Sequence, residues 1–223
     1  LVTMVMVDPL EVIDLSDPAN PVLTHALVIP GVLHQIAVRG DRLLALGTDE
    51  RWSGVAASLF DVADPRAPSM LARVHVGAGS AWSNANWDDK ALRVLDDQGL
   101  MLVPFSAWDG TDNTYVNGFQ LIEFDRQTLR ARGIVEQDGA VARTLAKGNR
   151  LLSISDRTLQ AVDHANRDAP RVTAKLELAR EVMDLKVVGD DAITLSSTGW
   201  WWDTSKVELR VAPVADPEGT PRG

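Results

Sequence analysis

The chain has 223 residues, 45% of them apolar, and a net charge of -9, so it can bury a core but offers phosphate no basic surface. That balance excludes nucleic acid as a partner, and uninterrupted apolar runs fall short of the ~20 residues that a membrane-spanning helix needs. With no Cys in the sequence, disulfides and thiolate metal sites are excluded as well.

In chain order, the apolar and β-branched stretch Leu1 to Val7 breaks at Asp8-Pro9, and Leu10 to Leu15 resumes. Val22 to Ile29 makes a third strand and Pro30-Gly31 stops it. From there the pattern settles into modules of four short strands, a to d. The first is Leu33 to Val38, Arg42 to Leu46, Val55 to Asp61 and Ser69 to Val76; the second is Ala91 to Leu95, Leu100 to Phe105, Gly118 to Phe124 and Leu129 to Val135. A third runs through Ala142 to Ala146, Arg150 to Ser155, Leu159 to Asp163 and Arg171 to Leu178, and a fourth through Val182 to Val188, Ala192 to Ser196 and Lys206 to Ala212.

An apolar strand closing on an Asp/Pro turn recurs at Asp14-Leu15-Ser16-Asp17-Pro18, Asp61-Val62-Ala63-Asp64-Pro65, Asp163-His164-Ala165-Asn166 and, worn down, Val214-Ala215-Asp216-Pro217. Gly40, Gly99, Gly148 and Gly189 sit at the a-to-b turn of successive modules, where a tight hairpin needs positive φ. A repeat of roughly forty-five residues holding four strands is the period of a propeller blade. The expected fold is therefore all-β, a β-propeller of about four blades' worth of four-stranded antiparallel modules. The boundaries are 1–30 (partial), 31–77, 88–136, 140–179 and 180–223 (incomplete), with α-helix nearly absent. A β-sandwich also has many short strands but does not require a repeat. Leftover strands at the C-terminal end point to an open array, part of a larger propeller, and Ala107 to Asn117 reads as an insertion.

Asp8 to Pro21, Ile29-Pro30-Gly31, Leu33-His34, Leu43 to Gly47 and Ser58 to Pro65 resemble bacterial and archaeal secreted proteins with a C-terminal β-propeller domain distantly related to WD repeats. The likeness continues through Asp89 to Leu92 and Gly99 to Pro104 and fades after about Arg126. The resemblance implies a propeller and an extracellular or envelope location, and it implies no reaction. At Trp87-Asp88-Asp89-Lys90 the chain departs from the family's Asp-His-Lys-like string.

Candidate chemistry gathers at the module connections. Trp52, Trp108 and Trp200-Trp201-Trp202 fall in b-to-c connections, and Trp82 and Trp87 in d-to-a connections, which open on one propeller face. Such a set reads as a ligand-binding surface, because Trp combines large apolar area with a polar N–H. The bland alternative is that the loops bury their own Trp residues as satellite cores. Asp109, Asp112 and Asn113 offer oxygen ligands to a calcium ion, in a loop that lacks the full calcium-loop pattern and is equally a plain Asx turn. His25, His34, His75 and His164 show no metal-ligand spacing, and His34 opens an innermost strand on the Trp-bearing face.

Two readings follow. The leading one is a non-catalytic binding module whose Trp face meets a glycan, a protein or another domain of the same polypeptide. The other is a hydrolase or lyase using His34, Asp88 and Asp89 at the axial end, which would have to bring acid, base and positioning groups into one pocket.

Overall fold

The computed structural model describes residues 10–49, 54–77, 80–109, 114–178, 181–197, 207–216 and 220. The chain divides into two compact units, Leu1–Leu176 and Glu177–Gly223. Among the described residues there is no α-helix, only two 3-10 turns, Asn84–Asn86 and Asp96–Gln98.

The first unit is a series of antiparallel sheets. β1 (Leu10–Asp14) and β2 (Val22–Leu27) form a hairpin; β3 (Val32–Arg39), β4 (Arg42–Thr48), β5 (Val55–Asp61) and β6 (Ser69–Val76) form a four-stranded sheet in chain order. In the next sheet β9 (Leu100–Asp109), β10 (Thr114–Phe124) and β11 (Leu129–Glu136) follow one another, and both β7 (Ser80–Trp82) and β8 (Arg93–Leu95) pair with β9. β12 (Val141–Lys147), β13 (Arg150–Ser155), β14 (Thr158–Asp163) and β15 (Arg171–Glu177) complete the series. The second unit is one three-stranded antiparallel sheet of β16 (Glu181–Val188), β17 (Asp191–Ser197) and β18 (Val207–Pro213).

The repeated residues have repeated jobs. Asp14, Asp61, Asp125 and Asp163 stand at or just past the ends of β1, β5, β10 and β14, and each side chain accepts the backbone N–H two residues on, from Ser16 (2.8 Å), Ala63 (2.9 Å), Gln127 (2.7 Å) and Ala165 (2.9 Å). Asp17, Asp64 and Asn166 then do the same for Ala19, Arg66 and Asp168. Two Asx turns in succession thus reverse the chain at this corner, with Pro18 and Pro65 supplying the fixed φ of the second. Gly40, Gly99, Gly148 and Gly189 all take positive φ, from +56° to +64°, as the hairpins between first and second strands require.

Three apolar interfaces join the sheets of the first unit in sequence. Leu10 and Ile29 pack with Leu43, Ala45 and Phe60. On the opposite face of β3–β6, Leu44, Leu46, Ala57 and Leu59 meet Met101, Val103, Phe105 and Ile122. Leu100, Leu102, Phe119 and Leu121 in turn meet Val141, Leu151 and Val162. Second strands of the middle sheets are therefore buried on both faces: β4 is buried from Arg42 to Gly47, and β9 from Leu100 to Ala107. This face-to-face stacking of sequential small sheets is the packing of a β-propeller.

Two expectations need correction. The first strand of the second module is not a single run over Ala91 to Leu95: it is split into β7 and β8, with residues 83–92 inserted between its halves. Nor is the insertion at Ala107 to Asn117 all connection. β9 and β10 stay paired from Leu100–Glu123 out to Asp109–Thr114, so its described parts, 107–109 and 114–117, extend the two strands as a ribbon.

Candidate aromatic binding face

β7, β9 and β10 lie side by side, and their register decides which side chains share a face. Ser80 and Tyr115 both stand opposite Trp108, while Trp82 and Asn117 both stand opposite Ser106. One face of this ribbon therefore carries Ser80, Trp82, Ser106, Trp108, Tyr115 and Asn117, three aromatic and three neutral polar side chains with no charge. The other face sends Ala81, Phe105, Ala107 and Val116 into the core. On the first face Ser80 and Trp82 are exposed, Trp108, Tyr115 and Asn117 are half-buried and Ser106 is buried.

The aromatic rings touch one another. Tyr115 lies 5.5 Å from Trp82 in an edge-on arrangement and 4.7 Å from Trp108 in a tilted one, distances at which aromatic pairs attract. Trp82 remains 42% exposed. Beside them the Ser106 hydroxyl donates to the Asn117 side-chain oxygen at 2.6 Å. Trp82 and Trp108 both touch Tyr115, and both lie on strands rather than in connections, because the split first strand and the long ribbon extend the sheet through both positions. Tyr115, the only Tyr in the chain, was not among the sequence candidates. Its spacing of two from Asn117 would have revealed it had the ribbon been recognised.

Trp87 belongs to a different place. Residues 83–92 cross from β3 to β12: the Asn84 amide donates to the Val141 carbonyl at 3.4 Å, Arg143 donates to Asp88 at 2.6 Å, and the Trp87 ring lies 5.2 Å from His34. The Asn84–Asn86 turn starts at Ser83, whose hydroxyl accepts from the Ala85 N–H and donates to the Pro104 carbonyl. It packs against β3, β4 and β9. Trp87 is left 83% exposed.

The hydrolase candidates have the following surroundings. Asp88 accepts from Arg143 and from the Lys90 N–H; the Arg143 hydrogen bond, the largest influence, lowers its pKa and keeps it a carboxylate. His34 faces Trp87, and burial lowers its pKa and keeps it neutral. Asp89 is exposed. His164 is a structural residue, hydrogen-bonded to the Asn149 carbonyl at 2.8 Å and the Gln98 side chain at 3.0 Å. His75 approaches Asp49 only to 4.0 Å. Among the described residues no three His, Asp or Glu side chains group as a metal site. Trp52, Trp200, Trp201, Trp202, Asp112 and Asn113 lie outside the described residues, and of Asp109 only the backbone, at the end of β9, is described.

Residues 1–167 match the family model described as a β-propeller domain. A protein of Archaeoglobus fulgidus described as uncharacterized is 31% identical over 126 residues, a match that takes in 55% of this chain and 19% of that protein. The chain thus spans less than a fifth of that relative's length. A chain from a solved S. cerevisiae complex of a Dbp5 variant with Nup159, a Gle1 variant, IP6 and ADP aligns over 89% of this chain and 48% of its own, with a TM-score of 0.39 and 10% identity. With the family model covering three quarters of its length, the chain belongs to the β-propeller domain family.

Proposed function

We propose that the chain is a non-catalytic binding module of an exported or envelope-associated protein, and that the β7–β9–β10 ribbon binds a neutral glycan. The observation that supports this is the composition of the ribbon face: Tyr115 in contact with both Trp82 and Trp108, with the neutral side chains of Ser80, Ser106 and Asn117 on the same face. Sugar rings have apolar C–H faces and hydroxyl edges, which such a mixture of aromatic and neutral hydrogen-bonding groups complements. The Trp and Tyr rings lock against one another, so little side-chain freedom is lost on binding. A protein partner is the other occupant such a surface could take, and another domain of the same polypeptide is one form of it.

Affinity electrophoresis of the chain through gels holding neutral polysaccharides tests the reading. Retardation that Tyr115→Ala and Trp82→Ala abolish, with the melting temperature preserved, supports glycan binding. Unretarded migration across neutral plant, fungal and bacterial polysaccharides counts against it.

A further inference from the structure

The polar pair on the ribbon face has a direction. Ser106 and Asn117 stand opposite each other on β9 and β10, and their side chains meet at 2.6 Å. That length is usual for O–H···O and short for N–H···O, so it is the oxygen end of the Asn117 amide that faces the Ser106 hydroxyl. Ser106 is only 4% exposed, and its single hydroxyl hydrogen is committed to this bond. A buried donor thereby fixes which way the amide points, and the nitrogen is turned away from it.

Neither hydrogen of Asn117 Nδ2 has an acceptor among the described residues, and the nitrogen is not sealed from solvent, Asn117 being only half-buried. Trp82 lies opposite Ser106 from the other side, so Trp82 and Asn117 flank it on the two strands that border β9. Their backbones are then about 10 Å apart, two inter-strand spacings, and their side chains rise on the same face. The Trp82 ring leans over β9 to lie 5.5 Å from Tyr115 and stays 42% exposed. An open indole and an oriented amide donor thus stand within the span of a single substituted sugar ring.

We infer that the sugar this face takes is an N-acetylated hexosamine, an inference that rests on the glycan reading above: its acetamido carbonyl accepts from Asn117 Nδ2 and its methyl group lies against Trp82. A carbonyl oxygen asks only for donors, which is what Asn117 has to give. A sugar hydroxyl at the same place brings a hydrogen that must itself find an acceptor, while the Asn117 oxygen already accepts from Ser106. The methyl group adds apolar surface for the indole that a hydroxyl lacks. Asn117 is then the residue that sets specificity, and the aromatic rings supply affinity for either kind of sugar.

Calorimetric titration of the full chain with matched pairs that differ only at C2 tests this: chitopentaose against cellopentaose, and the methyl glycoside of N-acetylgalactosamine against that of galactose. The acetylated member of at least one pair should bind about tenfold or more tighter, the equivalent of one hydrogen bond and one buried methyl group. Asn117→Asp keeps an oxygen for the Ser106 hydroxyl but replaces the N–H donors, and should bring the members of that pair within about twofold of each other. The comparison within a pair uses the parent alone, so it decides the matter even if the variant fails to fold. If the plain sugars bind as tightly as the acetylated ones, the inference is wrong and glycan binding stands. If no member of either pair binds, the inference is wrong, and retardation by other neutral polysaccharides decides the glycan reading separately. A preference that survives in a folded Asn117→Asp chain overturns it as well, since the acetamido group would then be read elsewhere.

Discussion

Gln137, whose N–H donates to the Asn117 carbonyl at 2.9 Å, carries much of the polar load where two sheets meet. It follows β11, is 5% exposed, and donates its side-chain amide to the Ser153 carbonyl (3.3 Å), the Thr158 carbonyl (2.9 Å) and the Thr158 hydroxyl (3.1 Å) while accepting from the Ser153 hydroxyl. Gln137→Leu keeps most of the volume and removes all of these bonds. Ser153 is fully buried and its hydroxyl then has no acceptor, at a cost of about 1–3 kcal/mol, with a further ~1 kcal/mol or more for the bonds to Thr158. The expected loss is roughly 3 kcal/mol, or about 6–12 °C in melting temperature for a chain of this size. Ser153→Ala alone orphans the Gln137 oxygen. The double variant removes both partners and should be more stable than the sum of the singles by about 1 kcal/mol or more. Urea titration followed by far-UV circular dichroism reads these differences. A Gln137→Leu chain that melts within a degree of the parent, or a double variant that is strictly additive, would refute the assignment of this side chain as a hydrogen-bonding hub.

Gly118→Ala should prevent stable folding, since its Cβ would lie 2.2 Å from the Val135 carbonyl oxygen, whereas Gly148→Ala, with open space around it and φ of +56°, should cost only about 1 kcal/mol; thermal melts of the pair separate the two. Glu123 is held below the usual carboxylate range first by its hydrogen bond from Arg132, and by Arg167 as well. A lowered folded-state pKa stabilises above the unfolded value near 4.5 and is lost as pH falls, so Glu123→Gln should flatten the acid limb of the stability profile. Burial is the largest influence on His164 and lowers its pKa, outweighing the opposing pull of the Asn149 carbonyl. Its contribution is then complete above the unfolded value of 6.5 and is lost on acidification through the folded value. His164→Gln should show a shallower loss of stability than the parent over that window in urea titrations at stepped pH.

The repeat made the blade pattern legible because the same physical need recurs at each corner. Asp14, Asp61 and Asp163 cap the same turn, and Gly40, Gly99, Gly148 and Gly189 close the same hairpin, so their spacing states the fold without any contact being known. What stayed hidden was everything that breaks the repeat. Ser80–Trp82 is too short a run to announce a strand, and only its pairing with β9 shows that it is half of one. The sequence 107–117 contains Asp, Gly and Asn, which read as loop, yet the pairing of Trp108 with Tyr115 continues the ladder. Tyr115 was missed for that reason. The partners of Asp88 and His34 were invisible for another: Arg143 is 55 residues from Asp88 and Trp87 is paired with His34 from another sheet, and no local pattern encodes such distances.

The claim that matters most is that the ribbon face binds through its aromatic rings, and an array of neutral glycans probed with the parent chain and with Tyr115→Ala tests it most directly. Tyr115 touches both Trp82 and Trp108, so its removal should disperse the platform and cut retention on the glycans that bind the parent by about tenfold or more, as loss of a stacked aromatic contact implies. Equal binding by the two chains would contradict the account.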